Sequence, residues 1–160
     1  MLDTSFWTVG VKVGLIGYAL RLFEVVVPAA VERELNEPDR WFPGRLYPDT
    51  ALFQQLRPLM ADPPAEEPPP LTVFGGGEAA IPLAQRLQAR VLINDRRPAV
   101  FARNLGLIVC TIPDVIVLLR SQELIADHMA LAMIATSERH GTSPVLASAA
   151  RQVLAFLQDG

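Results

Sequence analysis

Apolar and polar positions along the chain change their period repeatedly, and the changes mark the predicted elements. Leu2 is the stub of a strand. A helix starts after Asp3 with Thr4 or Ser5 as its cap, and it reaches Leu22 with a break near Gly10. Residues 23–27 are apolar apart from Glu24 and read as a second strand. Pro28 opens a helix over 29–35. Residues 71–74 form a third strand, which Gly75, Gly76 and Gly77 turn into a helix beginning near Glu78. Ile81, Ala84 and Leu87 mark the apolar face of that helix, with Leu83 at its edge, and Pro82 predicts a kink in its first turns. Residues 91–94 and 107–110 are two further strands around a helix over 97–105 that stops at Gly106. A short helix at 114–120 follows Pro113. The tail reads as one helix over 123–139, ending at Gly141, and a last one capped by Ser143 and opened by Pro144. Leu146, Ala150, Val153, Leu154 and Leu157 give this last helix its stripe.

Short apolar strands separated by helices predict an α/β fold: a three-layer α/β/α sandwich around a central, mostly parallel sheet. The 160 residues fit a single domain, 1–160. Nine of the fourteen prolines fall between Pro38 and Pro70, so 37–70 reads as a proline-rich excursion from the main fold. A short helix near 50–60 is expected inside it, since Leu52, Phe53, Leu56, Leu59 and Met60 can pack back. Trp41, Phe42, Leu46 and Tyr47 suggest docking rather than solvation.

Composition narrows the picture. Apolar residues are 51% of the chain and charged residues 19%, which excludes overall disorder. Cys110 is the single cysteine, so an internal disulfide is excluded and a reducing cytoplasm is the expected location. Arg21 and Glu24 interrupt the first apolar stretch, and Pro113 and Asp114 the longest, so no export or membrane segment is expected. A formal charge of −3 disfavours a broad basic nucleic-acid surface.

The acids suggest chemistry. Ligands of open α/β sheets bind beyond the carboxyl ends of the strands. Asp3, Glu34, Glu78, Asp95 and Asp114 all fall at or after predicted strand ends. Converging carboxylates repel one another, and a hard cation such as Mg²⁺ or Mn²⁺ removes that cost. Two such ions can clamp an in-line phosphoryl displacement. Plainer readings stand beside this one. Asp3 and Asp95 can cap the helices that follow them, Glu34 can be a solvated helix position, Glu78 suits a helix N-terminus, and Asp114 can be solvated. Arg96, Arg97 and Arg103 can contact RNA phosphates or simply face water.

The segments MLDTS at 1–5, VVVPAAVERELNEP at 25–38, GGGEAAIPLAQRLQARVLINDRRPAVFARNLGLIV at 75–109 and the helical tail together resemble the PIN-domain family, in particular a short bacterial PIN-like subgroup. The resemblance implies a PIN-like parallel sheet and a metal-dependent ribonuclease, with toxins of toxin–antitoxin pairs among the relatives. It maps the family's metal-ligating, catalytic acids onto Asp3, Glu34, Glu78 and Asp95. Ser5, Asn94 and Asp114 become outer-shell candidates, and Arg96, Arg97 and Arg103 the RNA contacts. Asn94 stands where the subgroup often has a second acid. The implied function is a Mg²⁺- or Mn²⁺-dependent endoribonuclease that hydrolyses RNA phosphodiester bonds. RNA, an antitoxin protein and a second copy of the chain are its implied partners. The rival is a non-catalytic PIN-like module that binds RNA or protein, and a phosphatase or flap-type nuclease is a third reading.

Overall fold

The computed structural model describes residues 1–37, 48–72 and 79–159. Asp3 accepts the Ser5 backbone N–H and caps α1 (Thr4–Val13). This helix runs through Gly10, where the break was expected, and stops at Gly14, whose φ of +75° is left-handed. The two glycines do different work. A β-carbon on Gly10 would lie 2.7 Å from Ile16 Cδ1, so Gly10 lets α2 (Ile16–Leu22) pack closely, while Gly14 turns the chain.

Pro28 precedes α3 (Ala29–Asn36). The helix expected near 50–60 is α4 (Pro48–Leu56), continued by a 3₁₀ turn at Arg57–Leu59. This part of the excursion is anchored at three places. Phe53 is fully buried edge-to-face on Trp7. The Ala61 N–H donates to the Val25 carbonyl at 2.8 Å. Arg57 bridges Glu32 and Asp62. Glu67, among the densest prolines, accepts the Ala29 N–H and so covers an open donor at the start of α3. The expected docking of Trp41, Phe42, Leu46 and Tyr47, the turn at Gly75–Gly77 and the second half of the strand at 71–74 lie outside the described residues.

Next come α5 (Ala80–Leu87), β1 (Val91–Leu92), α6 (Arg96–Asn104), β2 (Val109–Cys110), α7 (Ile112–Ser121), α8 (Asp127–Arg139) and α9 (Pro144–Asp159). Pro82 is the third residue of α5, where a backbone N–H has no intrahelical acceptor, so proline costs little there. Ile81 and Ala84 of the expected face are buried, with Leu83 beside them, and Leu87 is exposed. Residues 123–126 precede α8 rather than forming its first turn, and Glu123 takes a left-handed φ of 57°.

The expected three-layer α/β/α sandwich does not form. Nine helices carry the described residues, and the sheet consists of β1 and β2, two residues each, paired in parallel with Val91 opposite Val109. Isolated parallel bridges join Leu2 to Leu92 and Val26 to Ala61. The physical reason is that helix signals cut each extended segment short. Asp3, Pro28, Asp95 and Thr111 each stand one to three residues after a paired position and start a helix. With so few ladder bonds, helix packing supplies the core. One cluster gathers Phe6, Trp7, Leu15, Phe53, Ile116, Leu119, Ile134 and Leu154, mostly from α1, α7, α8 and α9. A smaller one joins Ile81, Leu83, Val91, Ile93 and Ala99 across α5, β1 and α6.

Candidate functional site

The short ladder brings sequence-distant polar groups together. The Leu2–Leu92 bridge brings the start of α1 beside the turn that follows β1. The Asp3 N–H donates to the Leu92 carbonyl at 3.0 Å, so Asp3 and residues 93–95 emerge at the same end. Ser5 ties them together. Its hydroxyl donates to Asp3 Oδ2 at 2.5 Å and accepts the backbone N–H groups of Asn94 at 3.0 Å and Asp95 at 3.3 Å. Thr4 Oγ1 donates to Glu34 Oε2, which brings the α3 acid to the same helix start.

Asn94 is 2% exposed and lies below this surface. Its Nδ2 donates to Thr142 Oγ1 at 3.0 Å, and its Oδ1 accepts the Ile112 N–H at 3.4 Å. It therefore anchors three segments: the β1 turn, the start of α7 and the α8–α9 connection. Above it opens a cleft of about 530 Å³. Thr4, Ser5 and Thr8 line it from α1, Asn94, Asp95 and Arg96 from the β1–α6 turn, and Gly141 and Ser143 from the α8–α9 connection.

Of the predicted acids Asp95 lines this cleft, and Asp3 lies beside it, joined to the Asp95 backbone through Ser5. Glu34 joins them only through Thr4, and Glu78 lies outside the described residues. Asp114 does not join. Its carboxylate accepts the Thr111 backbone N–H and hydroxyl, closing a capping box on α7, and pairs with Arg103 at 3.1 Å. Arg103 is thereby engaged away from the cleft, whereas Arg96 lines it. Asp3 and Asp95 are also the N-caps of α1 and α6, so both plain readings of these acids hold structurally. Thr4 and Thr142 were not recognised as site residues. Thr142 sits in a Gly-Thr-Ser-Pro stretch that reads only as a helix connection, and its contact with Asn94 spans 48 residues.

Burial pushes the Asp3 carboxyl above its ordinary range, the Ser5 hydrogen bonds pull it back, and the nearby Asp95 pushes it up again. A carboxyl that titrates higher when folded stabilises the fold below the unfolded value of 3.8. That contribution is lost as pH rises through the folded value. At neutral pH the Asp3 charge is therefore a liability. Asp3→Asn keeps the capping oxygen and removes the charge, so it is expected to melt about 3 °C above wild type at pH 7, equivalent to ~1 kcal/mol in a domain of this size. The gap should close near pH 3.5. Thermal unfolding at both values checks this, and a variant that melts below wild type at pH 7 refutes it.

Among family models, curated proteins and solved structures, none matches this chain. The implied membership of the PIN-domain family is corrected by the fold itself, which is dominated by helices where that family has a central sheet. The endoribonuclease, its toxin role and the PIN-like binding alternative fall with that scaffold. Among the described residues, no group of three or more Asp, Glu, His or Cys side chains is placed to hold a metal ion. No helix among the described residues is long and apolar enough to cross a membrane.

Proposed function

We propose that this protein is a binding module whose cleft between α1, the β1–α6 turn and the α8–α9 connection takes a cationic ligand, with Asp3 and Asp95 as the receiving carboxylates. The observation that carries this is the Ser5 clamp, which holds one carboxylate against the turn bearing another. Among the described residues neither acid has an ion-pair partner. Two carboxylates held together without a cation repel, and a bound cation relieves them.

Mg²⁺ or Mn²⁺ is the simplest such ligand. A magnesium ion keeps several waters and is commonly bound through one or two carboxylates, so this pair suffices for weak binding. Asp3 and Asp95 would hold it, Ser5 and Asn94 would fix the pair, and Glu34 would act through Thr4. RNA and a second copy of the chain are proposed partners, and the cytoplasm is the proposed location. Arg96 and Arg97 beside the cleft are the proposed contacts for a phosphate backbone.

Titration calorimetry and thermal melts with MnCl₂ and MgCl₂ test the reading. At a concentration ten times the dissociation constant, a ligand adds about 1.4 kcal/mol of stability, or roughly 4 °C here. Wild type is expected to gain that shift at millimolar ion, and the Asp3→Asn/Asp95→Asn double variant to gain none. No shift in wild type, or an equal shift in the double variant, rejects the cleft as a cation site.

A further inference from the structure

The proline-rich excursion grips α3 along one face. Ala29, Glu32 and Asn36 follow one another at spacings of three and four, so they share that face. Glu67 accepts the Ala29 N–H at 3.0 Å, Arg57 pairs with Glu32 at 3.0 Å, and the Gln54 amide donates to Asn36 Oδ1 at 3.0 Å. These contacts come from three parts of the excursion: the proline-dense stretch, the 3₁₀ turn and α4. Glu34, two residues from both Glu32 and Asn36, falls on the opposite face. There it accepts the hydroxyl of Thr4, which lines the cleft.

The helix between these two faces has little hold of its own. Its eight residues are too few for a helix that is stable alone. Pro28 gives it no side-chain cap, and Val31 and Leu35 are its buried residues. Its backbone is helical throughout, so a displacement of one face carries the other with it. Partly exposed polar contacts are weak singly, but three along a rod of two turns decide where it sits. We propose that the excursion positions Glu34 beside the cleft through α3, with Arg57 and Glu67 as the positioning residues. A partner that draws the excursion off α3 then loosens the cleft at Thr4, and high salt does the same by screening the Arg57–Glu32 pair. The effect on a bound cation rests on the function proposed for the cleft; the mechanical link does not.

A second route joins the same two regions, since Phe53 of the excursion packs on Trp7 of α1. The test must separate the two. Backbone amide NMR does so, with Thr4, Ser5 and Asn94 as reporters, because the Ser5 hydroxyl accepts the Asn94 N–H. The Arg57→Gln/Glu67→Ala double variant is expected to keep the wild-type circular dichroism. Its three reporter amides are expected to shift in the direction that Glu34→Ala shifts them. In a Glu34→Ala background the same two substitutions should leave the reporters in place, since the link is already cut. Glu67→Ala alone, at an exposed contact, should give a smaller shift of the same sign, and it decides the matter if the double variant loses its helical signal. Manganese binding to the double variant is expected to weaken about threefold.

Reporters that stay at their wild-type positions overturn the proposal. So does a shift of equal size in the Glu34→Ala background, which would route the coupling through Phe53 and Trp7. If wild type takes up no manganese, the cation reading of the cleft fails, and the amide shifts still decide the link through α3.

Discussion

Replacing Phe53 by alanine is expected to remove about 3–5 kcal/mol of stability, the range for deleting a fully buried aromatic side chain. Phe53 is fully buried on α4, and its ring meets Trp7 edge-on, with centroids 5.2 Å apart and planes at 84°. The truncation loses the transfer energy of the ring, its quadrupolar contact with the indole and the packing around the void. The effect should spread. The Trp7 indole N–H donates to the Asp49 carbonyl at 3.3 Å, and Ala61 pairs with Val25 and Val27 at the other end of the same excursion. Urea denaturation should show the full loss, and hydrogen exchange should show the Ala61 and Val27 amides opening first. A loss below about 1 kcal/mol would mean that this part of the excursion barely contributes to the fold.

Asn94→Asp is the second large effect, and it carries a pH signature. The position is 2% exposed, and Asp3 and Asp95 lie nearby, both joined to Ser5. An ionised carboxylate here lacks a cationic partner and meets two like charges, so about 3 kcal/mol should be lost at neutral pH. Protonation removes most of that. The buried acid would titrate above its unfolded value, so the variant should approach wild type near pH 4 and weaken steadily as pH rises. Denaturant midpoints at pH 4 and pH 8 measure the difference. Equal losses at both would show that broken hydrogen bonds to Thr142 and Ile112, rather than charge, dominate.

The legible parts of the chain were those decided by short-range chemistry. Pro28, Pro144, the glycines at 106 and 141 and the periodicity of 29–35 and 97–105 located helices within a few residues, because caps and turns involve neighbours in sequence. The short helix inside the excursion was legible from Leu52, Phe53 and Leu56 for the same reason. Gly10 misled, since a glycine kept for close packing and one kept for a turn look alike until Ile16 is placed. The strand assignments misled further. Short apolar runs read as strands, but ladders form only where partners align, and one residue of 23–27 and two each of 91–94 and 107–110 pair.

The site shows the same division. Asp3 and Asp95 were identifiable as capping acids, and Ser5 ties one to the backbone of the other. Glu34 was tied in through a hydroxyl, and Asp114 was claimed by Thr111 and Arg103. Neither outcome is written locally.

By itself the sequence determined where helices begin and end, which residues cap them and that a folded core exists, because propensity, capping and hydrophobic content are properties of neighbouring residues. Only the tertiary structure decided that helix packing rather than a sheet would dominate. It also decided which acids Ser5 ties together and which face of α9 is left uncovered. Those outcomes depend on contacts between residues tens of positions apart, and no local pattern encodes such distances.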